Sequence, residues 1–249
     1  MPTILITGCS SGFGQETSRL FLDRGWNVVA TMRTPNAEVL PASERLRILQ
    51  LDVTDPASVA RAVNEAGPLD VLVNNAGFAA PSPIELIEPK VARALFETNT
   101  LGTLAMIQAV LPAFRERRAG VIINVSSSTT LKPLPLIGLY RASKAAVNAM
   151  TETLAEEVKP FGVRVHLLIP GRAPETRFGA NAFPHLRGRD NRDYAPMIER
   201  IVASMRDSSG PTTRPSDVTE AIWGIVNDPA SPFRLAAGAD AKAWMAEAK

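Results

Sequence analysis

The chain predicts a single α/β domain, 1–249, built on a doubly wound parallel sheet with helices on both faces. Three observations carry this. Six short segments, 3–7, 27–31, 46–51, 70–73, 120–125 and 163–169, are apolar on both faces and alternate with stretches of helical spacing, as expected of parallel strands covered by helices. The first of them runs directly into a glycine-rich turn, Thr7-Gly8-Cys9-Ser10-Ser11-Gly12-Phe13-Gly14. The chain has 249 residues, 45% hydrophobic and 21% charged, which suits one large core burying ~70–75% of the unfolded surface. Alternation of this kind implies right-handed crossovers and ligands at the carboxyl ends of the strands.

Each element has a local cause. After the glycine turn, Thr17, Leu20, Phe21 and Leu22 fall at helical spacing, so the first helix starts near Gly12. A strand-to-helix turn rich in glycine lets backbone approach a ligand closely, and helix N-terminal N–H groups attract an anion. A second helix starts near Pro56 with Asp55 as its N-cap, and a third near Pro89, since proline suits the first helical turn. Another starts near Gly138, with further helices around 194–205 and 215–226. From 177 to 213 the chain is polar and loop-like, punctuated by Gly179, Pro184, Gly188, Pro196, Gly210 and Pro211. A long insertion of this kind is a lid or binding loop, where mobility is expected.

Composition excludes several classes of function. Lys and Arg (27) nearly balance Asp and Glu (25), leaving a net charge of +2, too even for a general nucleic-acid or membrane-surface binder. No apolar run approaches the ~18–20 residues that span a bilayer, and no leader is visible before the first strand. The sole cysteine, Cys9, cannot form an internal disulfide; a reducing cytoplasm is the expected compartment. No His, Cys and carboxylate cluster has metal-ligand spacing. The two histidines, His166 in a predicted core strand and His185 in the lid, lack the context of a hydrolytic triad.

Farther motifs follow in order: Asn74-Asn75-Ala76-Gly77, then Asn99, then Ser126-Ser127-Ser128, then Tyr140-Arg-Ala-Ser-Lys144. With the glycine turn, they resemble the short-chain dehydrogenase/reductase family, in its main branch of single-domain Rossmann-like enzymes. The likeness runs from Thr3 to about Gly171 and thins afterwards. It implies an oxidoreductase using a nicotinamide dinucleotide, and it assigns Gly8, Ser10, Ser11, Phe13 and Gly14 to the pyrophosphate and adenosine ribose. Phe13 departs from the more usual Ile or Leu. Asp52 matches the carboxylate that accepts from the adenine amino group, with a helix cap as its alternative role. Asn75 and Gly77 match the nicotinamide-ribose side, whereas Asn74 ties the sheet together. Pro170 and Gly171 match the turn beside the carboxamide, and Thr176 matches a nearby threonine, although Arg172-Ala-Pro-Glu-Thr176 is one residue longer than the common pattern.

Charge selects between the two dinucleotides. Enzymes that use NAD place an acid at the end of the second strand, but here that end reads Ala30-Thr31-Met32-Arg33. The Arg33 guanidinium suits a 2′-phosphate, with the Ser11 hydroxyl as a second contact. A hydrogen bond to a charged group contributes about 1.5–3 kcal/mol, hence a roughly 10–100-fold preference for NADP(H).

Tyr140 and Lys144 are four residues apart, on one face of a helix. The pairing matches the family's acid–base dyad, in which Tyr140 exchanges a proton with the substrate oxygen and Lys144 also holds the nicotinamide ribose. The neighbouring ammonium and the cofactor cation are expected to favour the phenolate; lowering the tyrosine pKa by ~3 units requires about 4 kcal/mol. Ser127, thirteen positions before the tyrosine, matches the residue that hydrogen-bonds the carbonyl oxygen. Ser126 and Ser128 are expected to be strand-end hydroxyls bonded to backbone. Asn99 matches the organiser of a water relay to the lysine, and an asparagine in mid-helix is locally unfavourable.

Phe78, the 131–139 segment, Phe178, Phe183 and Met197 are expected to wall a pocket for a small apolar carbonyl or alcohol, as in steroid- and retinol-type members. In most relatives the helices following Pro89 and Gly138 form a dimer contact, so a homodimer is expected; the ending Arg234-Leu-Ala-Ala-Gly-Ala-Asp240 lacks the glycine-rich segment of tetramers. Two other readings stay open: a 3-ketoacyl-thioester reductase, and a dinucleotide-sensing regulator without turnover.

Overall fold

Seven apolar segments pair side by side as parallel strands in a computed structural model that describes residues 1–206 and 210–248. They are β1 (Thr3–Thr7), β2 (Asn27–Met32), β3 (Leu46–Gln50), β4 (Val71–Asn74), β5 (Gly120–Val125), β6 (Val163–Pro170) and β7 (Arg234–Ala237). Their order across the sheet is β3-β2-β1-β4-β5-β6-β7. Strand order reverses between β1 and β4, which opens a crevice at the carboxyl ends of those two strands. Six of the strands lie within a residue of the ranges expected from sequence. The seventh, β7, is a correction: at four residues, one of them arginine, it is too short for periodicity to show.

Helices cover both faces because alternate strand residues point opposite ways. On one side, Ile4, Ile6 and Val28 pack with Phe21 of α1 (Gly12–Asp23) and Ile222 of α8 (Pro215–Asn227). On the other, Leu5, Val29 and Leu72 pack with α2 (Pro56–Ala66), α4 (Gly102–Glu116) and α5 (Gly138–Val158). Asp55 caps α2 by accepting from the Ala57 N–H at 2.9 Å.

The helix expected near Pro89 is not one regular rod. It comprises α3 (Pro89–Phe96), a wide π-helical turn at Glu97–Leu101, and α4. The turn holds Asn99, whose side chain competes for backbone hydrogen bonds and disfavours a regular α-helix. Within the polar stretch 177–213, α7 (Ala195–Arg206) is the helix expected around 194–205, whereas α6 (Phe178–Ala182) and a tight turn at Phe183–His185 lie where the sequence predicts a loop; positions 207–209 of that range lie outside the described residues. The chain then closes with α9 (Ala239–Glu247). Among the described residues no helix is long and apolar enough to cross a membrane.

Candidate active site

The glycine turn is built by stitching the ends of β1 and β4 together. The Thr7 hydroxyl accepts from the Asn75 and Ala76 N–H groups at 3.0 and 2.9 Å. The Asn75 amide in turn donates to the Thr7 and Gly8 carbonyls at 2.9 and 3.2 Å. Asn75 therefore shapes the glycine loop from behind, and Thr7, which sequence reasoning passed over, is its partner. Gly8 has φ 76° and Gly14 is wedged so tightly that a Cβ would lie 2.5 Å from the Gly8 carbonyl. Neither position accepts a side chain.

The residues present fit a dinucleotide. Ser11 opens α1 without a side-chain cap, so its hydroxyl and the first-turn N–H groups stay available to an anion. Ser10 is exposed and Phe13 is half-buried against the core beneath the loop. Thr176 lies directly over Gly12, its Cβ 3.5 Å from where a Gly12 Cβ would sit. Arg33 is exposed just past β2, and its charge helps hold the Asp52 carboxyl below the usual range. The main cause is the Thr54 N–H, which donates to Asp52 at 2.9 Å. Asp52 does not cap α2, a task that falls to Asp55. Asn74 donates to Asn124 across the β4–β5 pair at 2.8 Å and does tie the sheet.

Next to this loop the helix α5 delivers Tyr140 and Lys144 to a desolvated pocket, 7% and 4% exposed. The Lys144 ammonium donates to the Val125 carbonyl at 2.8 Å and lies against Gly77. Ser127 accepts from the Thr129 N–H and hydroxyl at 3.3 and 3.0 Å, which leaves its own proton for the Tyr140 oxygen.

The electrostatics correct one expectation. Burial pushes the Tyr140 phenol up to about 12, opposed only by the Ser127 hydrogen bond. Burial likewise brings Lys144 down to about 8. Both groups share one dry pocket, so burial opposes the acidification expected of the phenol from the lysine.

Asn99 is fully buried, and its amide is spent on structure. It accepts from the Phe78 N–H and donates to the Phe78 carbonyl and the Ser143 hydroxyl, each at 3.0 Å. Ser143 donates to the Tyr140 carbonyl at 2.7 Å, so the π-turn braces the tyrosine's own helical turn. Ser126 is another correction: its hydroxyl donates to the Asn148 side chain, because α5 brings that amide over the strand end.

The lid supplies apolar walls. The Phe178 ring lies 5.7 Å from that of Tyr140, and His185 packs on Phe78 at the same separation. A cavity of about 530 Å³ is lined by Ile84, Glu85, Leu134, Leu136, Tyr194 and Met197. Leu136 has φ 68°, a strained backbone held by its carbonyl accepting from the Ser82 N–H at 2.7 Å. His166 is buried in β6 against the Pro232 carbonyl, and burial lowers its pKa.

Residues 2–186 match the family model for short chain dehydrogenases. The chain is 37% identical to the 3-ketodihydrosphingosine reductase of Bacteroides thetaiotaomicron, over 97% of this chain and 92% of the relative. It is 38% identical to retinol dehydrogenase 8 of Bos taurus, over 93% and 80%. A serine dehydrogenase in a closed form, complexed with NADP+, superposes with a TM-score of 0.83 at 28% identity, over 96% and 95%. The chain belongs to the short-chain dehydrogenase family, and is an oxidoreductase working on CH–OH or carbonyl groups with a nicotinamide dinucleotide.

Proposed function

We propose that the protein is an NADP(H)-dependent reductase of apolar ketones or aldehydes, interconverting them with their alcohols. The observation that carries this reading is the meeting of Tyr140, Ser127 and Lys144 in one dry pocket beside the glycine loop. The dinucleotide, when bound, supplies the hydride. Gly8, Ser10, Ser11, Phe13 and Gly14 would hold its diphosphate side, Arg33 and Ser11 its 2′-phosphate, and Asp52 its adenine. Gly77, Lys144, Pro170, Gly171 and Thr176 would line the nicotinamide side. A 2′-phosphate is favoured by the cationic strand end and by NADP in the solved neighbour.

Ser127 orients the substrate oxygen, and its hydroxyl stabilises the negative charge that develops there. Tyr140, kept protonated by burial, delivers its proton to that oxygen. In the reverse direction the phenol must first lose its proton, which requires either high pH or a cation alongside. Lys144 places positive charge within the pocket below about pH 8. Phe178 and the lid exclude water from the reacting atoms. The apolar residues packed around Tyr140, among them Phe78, Leu134 and Leu139, favour a hydrophobic substrate. We further assign a cytoplasmic homodimer paired through α4 and α5, between which an apolar groove of about 430 Å³ runs.

A screen of NADPH oxidation over ketones, aldehydes, steroids and ketoacyl thioesters tests the reading, with Tyr140→Phe as control. Turnover of free ketones that vanishes in the variant is expected. Activity surviving in Tyr140→Phe contradicts the mechanism, and preferential turnover of thioesters moves the assignment to a 3-ketoacyl-thioester reductase.

A further inference from the structure

The lid leaves the domain at Arg172 and returns at Thr213, and the two ends are tied at one buried node. The Thr213 N–H donates to the Arg172 carbonyl at 2.8 Å. The Thr213 hydroxyl accepts from the Gly171 N–H at 3.0 Å and reaches the Asp240 carboxyl at 2.7 Å. The other oxygen of Asp240 accepts from the Arg172 N–H at 2.6 Å. Two successive backbone amides at the end of β6 are thereby fixed by residues 42 and 68 positions away. Thr213 is fully buried and Asp240 is 5% exposed, so the bonds form where water does not compete.

The node is built for close approach. A side chain on Gly171 would run into the Asp240 carboxyl, and one on Gly238, which has φ 97°, would run into Thr213. Asp240 stands in the first turn of α9, where the helix dipole favours a carboxylate. Thr176, only four positions after Arg172, sits over Gly12 of the glycine loop. Two more lead to Phe178, whose ring faces Tyr140. Any shift at the lid's base is thus passed on to both walls of the cleft.

We propose that Asp240, acting through Thr213 and the Arg172 amide, is a positioning residue that staples both ends of the lid to the C-terminal helix and so sets the cleft that the lid closes. This rests on the reading of the cleft as the dinucleotide site, but the staple itself is testable without that reading. Breaking it frees the ends of a segment of some forty residues without touching Tyr140, Ser127 or Lys144.

The test uses the full chain with Asp240→Ala, Asp240→Asn, Thr213→Val and Thr213→Ser. Limited trypsin digestion without dinucleotide reads the staple directly, because Arg177, Arg189 and Arg192 are exposed in the lid. Loss of a charge-assisted hydrogen bond predicts cleavage there about ten-fold faster in Asp240→Ala and in the isosteric Thr213→Val. Calorimetric titration with NADPH should show binding weakened about ten-fold, with KM raised in proportion and kcat within about three-fold of wild type. Thr213→Ser restores the hydroxyl and should restore both readouts, and Asp240→Asn should fall between. Should Asp240→Ala not fold, Thr213→Val carries the test alone. Cleavage and binding both within about two-fold of wild type in Thr213→Val overturn the proposal. So does acceleration of cleavage throughout the chain instead of in the lid. A lid released in the variants of a protein that does not bind NADPH would leave the staple standing and overturn the dinucleotide reading.

Discussion

Replacing Lys144 with methionine is expected to abolish activity and yet stabilise the protein at neutral pH. The side chain is 4% exposed, and burial lowers its pKa from 10.5 to about 8. At 1.36 kcal/mol per unit, keeping the ammonium charged inside the fold costs about 3 kcal/mol at pH 7. Methionine has similar length and no charge, so this cost disappears. The Val125 carbonyl loses its donor, returning about 1 kcal/mol. The net gain of about 2 kcal/mol corresponds to roughly 4–8 °C in Tm for a chain of this size. The sign over pH follows from the direction of the shift. Between pH 8 and 10.5 the unfolded wild type binds a proton that the folded form does not, so wild-type stability rises with pH across that window. The advantage of the variant should shrink through the same window and be gone near its upper end. Thermal unfolding of both proteins at pH 7 and pH 10, without dinucleotide, measures this. A variant less stable at pH 7, or a gap unchanged between the two pH values, refutes the argument.

Other substitutions separate binding from chemistry. Arg33→Ala should raise KM for NADPH roughly 10–100-fold and leave KM for NADH nearly unchanged, by steady-state kinetics; equal effects remove the 2′-phosphate assignment. Ser127→Ala should lower kcat about 10²–10³-fold with little change in dinucleotide affinity, and a loss confined to KM would count against its role at the carbonyl. In Gly14→Ala the new methyl meets the Gly8 carbonyl at 2.5 Å and the Asn75 amide at 2.7 Å. The expected cost is about 1–3 kcal/mol by urea unfolding, along with loss of NADPH binding. For carbonyl reduction, kcat/KM should fall as pH rises past about 8 while Lys144 discharges; a profile flat to pH 10 would show that its charge is not needed.

Much of this molecule is legible along the chain because its strands are buried on both faces. Apolar runs such as Ile4-Leu5-Ile6 have no other stable place, and Gly8 and Gly14 permit a backbone that other residues forbid. Spacing alone set Tyr140 and Lys144 on one face of α5. What spacing does not reveal is desolvation. The pocket that gathers Tyr140 and Lys144 is made by elements scattered over the chain, so the upward shift of the phenol emerges only when they are packed. Thr7 and Asp240 were missed for a similar reason. Each acts on backbone amides 68 positions away, and a lone threonine or aspartate has no local pattern. The one signal for Asp240 is its place just after Gly238, at the start of a helix.

The wide turn at Glu97–Leu101 holds one more residue than a regular helix would. Deleting one residue there would let α3 and α4 fuse into one regular helix, the flanking turns keeping their faces while the side chains of the wide turn itself are re-aimed. The fused helix would be more regular by itself, yet Asn99 would face away from Phe78 and leave a hole behind the tyrosine. The irregularity therefore works as a spacer, and along this stretch a shortened chain should be tolerated less well than a changed side chain.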